Sequence, residues 1–356
     1  MSLVVFFPVV HRLLCIVPRC CSVALFGGAV LRSRAAARTA QLSSSFALSS
    51  VASRPTARSA AAAAAARRTH VPAPPLRMTS TTTPAAESAT TSPVVDLRGK
   101  KALVTGIANN RSIAWGVAQQ LSAAGADVGV AYLPLSDKVT AKVKSLTEEL
   151  SPSLFVPCDV TKPEDMTALA DAIKAEWGGV DVVIHCLAFA NREDLAGDFS
   201  ATSAGGFQTA LNISAFSLVE MCGTLKPLLN DGASVVTLSY LGATKVVPNY
   251  NVMGVAKAAL EASVRYLASE LGPQGVRVNA ISAGPIRTLA SSAIAGFVGM
   301  LRNIENVAPL RRTVTQKEVG STAAFLASSA SSAITGQVLF VDCGYEIMGA
   351  PPKVED

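Results

Sequence analysis

Acidic side chains are absent from the first quarter of this 356-residue chain. From Met1 to Ala86 there is no Asp, no Glu and no Lys, yet there are ten Arg. That segment accounts for the formal net charge of +6, because beyond Glu87 the count is 21 basic residues against 24 acids. A nucleic-acid-binding reading based on overall charge therefore loses its support. Cysteine pairs are absent too. Cys158, Cys186, Cys222 and Cys343 stand singly with no C-x-x-C spacing. Neither a zinc site nor a disulfide framework is indicated, no metal is expected, and buried thiols are the simpler reading.

What the acid-free segment does contain has two textures. "MSLVVFFPVVHRLLCIVPRCCSVALFGGAV" is hydrophobic but broken by His11, Arg12 and Arg19, like a signal or anchor. "LRSRAAARTAQLSSSFALSSVASRPTARSAAAAAAARR" is rich in Arg, Ser and Ala, like an organelle transit peptide. The succession resembles the bipartite targeting of algae with secondary plastids, so a plastid (chloroplast) location is expected. A plain plastid or mitochondrial leader and an N-terminal membrane anchor are the alternatives. The early charges and prolines weigh against an anchor, and no stable membrane span is expected in the mature form. "VPAPPLRMTSTTTPAAESATTSP" has too few bulky apolar groups to fold and reads as a linker. The expected organisation is thus a targeting presequence and linker over 1–95 and one folded domain over 96–356.

From Asp96 short apolar runs alternate with patterns of helical period. "KALVTG", "DVGVAYL", "SLFVPCDV", "VDVVIHCLA", "ASVVTLSY", "VRVNAISAG" and "GQVLFVD" suit strands buried on both faces of a parallel sheet. Helical patterns fall at 112–126, 163–178, 206–230 and 250–275. Such alternation predicts an α/β fold, a doubly wound parallel sheet of Rossmann type, with ligands at the carboxyl ends of the strands.

The first strand-to-helix turn, "TGIANNRSIAWG", stands where a dinucleotide pyrophosphate meets free backbone N–H groups and a helix dipole. Its spacing departs from G-x-G-x-x-G, since the glycine after Gly106 is Gly116, inside the helix; a merely tight turn is an equal reading. In "CDV" at the third strand's end, Asp159 suits an adenine amino group, with Val160 beside it; a helix-initiating acid is the alternative. The second strand ends in Tyr132, Leu133 and Pro134, with neither acid nor arginine, so this position does not choose between NAD and NADP. In "YNVMGVAK", Tyr250 and Lys257 are seven residues apart and project from nearly one helix face, where they can share a ligand. An interface aromatic and a solvated lysine are the bland alternatives. His185 reads as a packed strand histidine.

The string "LSYLGATKVVPNYNVMGVAKAALEASVRYLASELGPQGVRVNAISAGPIRTLASS", with "TGIANNRSIAWG", "HCLAFA" and "PLRRTVTQKEVG", resembles the NADH-dependent enoyl-[acyl carrier protein] reductases, a divergent branch of the short-chain dehydrogenases. The resemblance spans about Asp96 to Met348. It implies a homotetramer acting on enoyl chains carried by acyl carrier protein, with one NADH per subunit. Carried over by position, Gly106, Ser112 and Ile113 line the pyrophosphate, Asp159 and Val160 the adenine, and Leu187 the ribose-nicotinamide region. Lys257 bonds the ribose hydroxyls. Ile286, Arg287, Thr288, Leu289 and Ala290 close over the nicotinamide. Tyr250 meets the thioester carbonyl, Tyr240 is a second active-site tyrosine, and Ala190 gives a backbone contact to the acyl group.

This chain departs from the pattern at Leu133, where some members are polar, and at Ala188, where many have glycine. Thr288 to Leu301 carries no base, although several relatives use bases there to dock the carrier, which leaves Lys245 or Arg302 for that task. Two rivals are a 3-oxoacyl (carbonyl) reductase, whose Tyr and Lys stand four apart, and a silent NAD-binding protein. Position 254, where the carbonyl reductases place the lysine, is a glycine.

Overall fold

A computed structural model describes residues 94–350. The expected presequence and all but the last two residues of the linker lie outside the described residues. Seven strands form one sheet: β1 (Lys101–Thr105), β2 (Asp127–Tyr132), β3 (Leu154–Pro157), β4 (Val180–His185), β5 (Leu229–Ser239), β6 (Arg277–Ala283) and β7 (Val338–Val341). Every pairing is parallel, and the strand order is 3-2-1-4-5-6-7. All seven apolar runs became strands. β5 alone starts earlier than its run, at Leu229, with an irregular register against β4 between Val180 and Val182.

Eight α-helices cover the faces: α1 (Ile113–Ala123), α2 (Asp137–Thr147), α3 (Pro163–Trp177), α4 (Ala204–Leu211), α5 (Ser217–Leu225), α6 (Asn251–Leu271), α7 (Phe297–Val307) and α8 (Gln316–Ala327). Alternation along each strand sends neighbours to opposite cores. Ala102 and Val104 join one core with α1 and α8, whereas Leu103, between them, joins another with α3, α5 and α6. The fully buried Leu169, Ile173 and Leu260 in the second core are each worth about 1.5–3 kcal/mol.

Helices α2, α7 and α8 were not among the expected patterns. α8 carries a readable start signal, since Thr315 and Glu318 form a reciprocal capping box. The pattern expected as one helix over 206–230 is instead α4 and α5 joined by a π turn, Asn212–Phe216.

Gly116, which seemed a misplaced member of a phosphate loop, has a packing role. A side chain there would meet Gln316, and a Cβ at Gly320 would stand 2.5 Å from the Gly116 carbonyl oxygen. The two glycines let α1 and α8 cross at close range. As a result Gln316 reaches the first loop, donating through Nε2 to the Ser112 carbonyl at 2.6 Å.

The strand order reverses between β1 and β4, so their carboxyl ends open a crevice at the topological switch point. Thr105 ties the two edges, its hydroxyl donating to the Ile184 carbonyl at 3.0 Å.

Candidate active site

At the mouth of this crevice Gly106 adopts φ +87°, and a Cβ there would lie 2.1 Å from the Cys186 carbonyl oxygen. Only glycine satisfies both the left-handed backbone and that approach. Ser112 is the N-cap residue of α1, yet its side chain does not cap the helix. Its Oγ accepts from Ala108 and Asn109 N–H at 3.0 and 3.1 Å, tightening the loop. The N–H groups of Ile113 and Ala114 thereby have no partner among the described residues. Free N–H groups at the positive end of a helix dipole, beside a glycine no side chain can replace, fit a dinucleotide pyrophosphate.

Asp159 lies at the carboxyl end of β3, but it does not cap the next helix. The N-cap of α3 is Lys162, with Pro163 as the first helical residue. The Asp159 Oδ1 instead accepts from the N–H and hydroxyl of Thr161 at 3.0 and 2.7 Å. Oδ2 meets only the Lys162 ammonium, at 3.9 Å. An adenine amino group thus has an available acceptor there, with half-buried Val160 alongside.

After β4 the chain runs through half-buried Leu187, exposed Ala188 and Phe189, and half-buried Ala190. Ser214, inside the π turn, pins this segment by accepting from Phe189 N–H at 3.0 Å and donating to its carbonyl at 3.1 Å. Sequence reasoning had no signal for Ser214, because a π turn carries no clear sequence mark. His185 is a packed strand residue, bonded through Nδ1 to Thr237 at 2.9 Å and through Nε2 to Ser217 at 2.8 Å. Burial, and then the Lys257 charge, lower its pKa to about 3, so it is neutral at working pH.

Tyr250 and Lys257 are not equivalent positions of α6. Tyr250 is the N-cap residue of α6, and Lys257 lies nearly two turns inside. The Tyr250 ring meets Tyr240 edge-on, with centroids 4.9 Å apart. It rests where side chains are missing: a Cβ on Gly242 would come within 2.5 Å of the ring, and one on Gly254 within 2.8 Å of the Gly242 carbonyl oxygen. Burial, then Tyr240, pushes the Tyr250 phenol well above the usual tyrosine range. Burial also pushes Tyr240 up to about 12, and its hydroxyl reaches Met300 Sδ at 3.4 Å. Lys257 is buried, and its ammonium donates to the Leu238 carbonyl at 2.7 Å. Burial lowers its pKa to about 8, while Cys186 and Glu261 oppose that fall.

A cavity of about 390 Å³ opens beside the tyrosine pair, lined by Tyr240, Leu241, Lys245, Asn249, Met300 and Tyr345 among others. Ile286, Arg287, Thr288, Leu289 and Ala290 follow β6 and lead through a 3-10 turn, Ala290–Ala293, toward α7. Ile286 packs on the core, whereas Arg287 and Leu289 are exposed.

The model of the enoyl-(acyl carrier protein) reductase family matches residues 106–346. The chain belongs to that family. It is 66% identical over 257 residues to the NADH enoyl-[acyl-carrier-protein] reductase FabI of a Nostoc species, covering 72% of this chain and all of that one. The FabI of Bacillus cereus is 52% identical over 255 residues, covering 71% of this chain and 99% of the relative. Among solved structures, the Bacillus cereus enoyl-acyl carrier protein reductase with NADP+ and an indole naphthyridinone aligns at TM-score 0.70 and 51% identity. That alignment covers 72% of this chain and 100% of the other. The Anaplasma phagocytophilum reductase in complex with NAD aligns at TM-score 0.69 and 46% identity, over 72% and 97% of the two chains.

The packing separates this reductase from the carbonyl-reducing rival. A lysine at 254 has no room, because even its Cβ meets the Gly242 carbonyl. Ser239, the upstream serine, is buried with its hydroxyl donating to Glu261 Oε1 at 2.6 Å. It is committed to a carboxylate and is not free to act on a ketone.

Proposed function

We infer that this chain reduces trans-2-enoyl thioesters carried on acyl carrier protein to saturated acyl thioesters with NADH, the last step of the fatty-acid elongation cycle. The observation that carries this reading is the Tyr240–Tyr250 pair seated on Gly242 and Gly254, with buried Lys257 behind it. Bound NADH supplies a hydride for the β-carbon of the enoyl group. The carbonyl oxygen then gains enolate charge, the Tyr250 phenol donates a hydrogen bond to it, and a proton delivered to the α-carbon by Tyr250 or a water chain completes the saturated thioester. Tyr240, 4.9 Å away ring to ring, limits how that phenol turns. Lys257 holds the ribose hydroxyls and keeps the field positive. Gly106, Ser112 and Ile113 hold the pyrophosphate, and Asp159 and Val160 hold the adenine. Leu187 lies against the ribose-nicotinamide region, Ile286 to Ala290 cover the nicotinamide, and Ala190 meets the acyl group through its backbone.

Purified protein is expected to oxidise NADH with crotonyl-CoA and to leave acetoacetyl-CoA almost untouched, both followed by NADH absorbance. Preference for the ketone overturns the reading, and NADH binding with no turnover of either substrate points to a silent binding protein.

Carrier docking falls to bases outside 288–301. Of those, Lys245 is partly committed, pairing with Glu346 at 3.6 Å, whereas the Arg302 side chain is exposed and has no partner among the described residues. Arg312 is held by Glu318 at 2.6 and 3.0 Å, as an ion-pair partner rather than a docking group. A homotetramer is supported by apolar surface on and beside α6. Phe216, Val255 and Tyr266 are exposed, and a cavity of about 380 Å³ is lined by Leu211, Ala215, Phe216, Val219 and Ala259. A plastid location reached through a bipartite presequence is supported by the acid-free, Arg-rich first 86 residues. Among the described residues no helix is long and apolar enough to cross a membrane. Native mass spectrometry of the protein from its own cells tests both properties, with four chains per particle expected, each beginning between about Ala60 and Val95. Chains retaining Met1 overturn the presequence, and a monomeric mass overturns the tetramer.

A further inference from the structure

Tyr250 is flanked by two non-glycine residues with left-handed backbones, Asn249 at φ +62° and Asn251 at φ +27°. Only five described non-glycine residues have positive φ, so two of them flanking one phenol calls for a cause. Such a backbone costs on the order of 1 kcal/mol or more at each position and persists where the surroundings hold it. Asparagine tolerates it better than most residues, but glycine tolerates it at no steric cost. The amide must therefore supply something that glycine lacks.

Both amides are in use, each on a different wall segment. Asn249 Nδ2 donates to the Ala295 carbonyl at 2.9 Å, at the far end of the segment that follows β6. Asn251 Nδ2 donates to the Gly197 carbonyl at 3.1 Å, in the loop that follows β4. Within this stretch the Tyr250 N–H donates to Val247 at 3.2 Å, and its carbonyl accepts from Met253 at 2.9 Å. With both of its backbone groups bonded, the Tyr250 backbone is re-aimed through the torsions of its neighbours. Those neighbours are the two residues tied to the walls.

We propose that Asn249 and Asn251 are positioning residues for Tyr250, and that the Asn249 amide makes seating of the 286–296 segment and placement of the phenol one event. The proposal rests on the reading of Tyr250 as the active-site phenol. It explains why aspartate would not serve, since a carboxylate tolerates the left-handed backbone but cannot donate to a carbonyl. Asn249→Gly keeps the backbone freedom and removes the amide, and Asn249→Asp keeps the shape and removes the donor.

In both variants kcat for crotonyl-CoA falls by about fivefold, the scale of one lost hydrogen bond. Hydrogen–deuterium exchange quickens at 289–297. In Asn251→Gly exchange quickens at 195–199 instead. Asn249→Gly with wild-type kcat and wild-type exchange overturns the proposal, because only the backbone conformation would then matter. The exchange readout needs no turnover, so the two readings fail separately: a fully active Tyr250→Phe sinks the catalytic phenol, and unchanged exchange sinks the positioning role.

Discussion

Replacing Tyr250 with phenylalanine lowers kcat for crotonyl-CoA by on the order of 10²-fold while NADH affinity stays nearly constant. The asymmetry follows from where the ring sits. Its edge contact is with Tyr240, and its seat is made by Gly242 and Gly254, so removing the hydroxyl disturbs no packing. Apart from Lys257 on the same helix, the residues proposed for the cofactor lie on other segments, after β1, β3, β4 and β6. Because burial raises the phenol's pKa above the usual tyrosine range, it remains a donor throughout the working pH range. Tyr240 or a water partly replaces the lost donor, which keeps the effect below complete loss. A variant with unchanged kcat would show that enolate charge is stabilised by another group. Lowered kcat together with equally lowered NADH affinity would show that the ring shapes the cofactor site instead.

Lys257→Ala weakens NADH binding and turnover together, by about tenfold or more for a buried charged donor. Lys257→Arg restores neither, because a planar fork replaces a compact ammonium in a buried site beneath the Leu238 carbonyl. The pH dependence has a definite sign. Burial lowers this ammonium from the ordinary lysine value of 10.5 to about 8, so in the cofactor-free protein it is charged below that pH and neutral above it. NADH affinity therefore falls as pH rises through about 8, and the alanine variant loses that step. His185 adds nothing to the profile above pH 5, being neutral with a pKa of about 3. Cofactor fluorescence titrations at pH 7 and about 9 decide the matter. Alanine-variant affinity equal to wild type at both pH values would remove Lys257 from the cofactor site.

Much of the fold was legible because buried parallel strands leave continuous apolar runs, such as the "ALV" of β1 and the "VVI" of β4, that no surface element produces. α8 was missed although it carries a start signal, the Thr315 and Glu318 capping box. α7 begins at a left-handed Gly296 without a side-chain cap, and that start has no such signal. The π turn at Asn212–Phe216 reads locally as ordinary helix, since one inserted residue shifts the apolar period too little to notice.

The site divides in the same way. The chemistry-bearing types were in the sequence: a phenol and an ammonium seven apart, a glycine after the first strand, and an acid after the third. By itself the sequence determined the alternation of strands and helices and the family, and it named candidate residues for a dinucleotide and an enolate. Those are properties of local composition and order.

Tertiary structure alone decided what each of those residues was free to do. Gly116 became a helix-crossing contact because α8, some 200 residues later in the chain, packs against it. Ser239 was withdrawn from chemistry because its hydroxyl meets Glu261, on the next helix. Lys257 lost much of its basicity because it is enclosed beside the end of β5. Asn249 and Asn251, on either side of Tyr250, were tied to segments about 50 residues away in either direction. Pairings between distant segments depend on which surfaces the closed fold brings within hydrogen-bond range, and no local pattern of residue types encodes them.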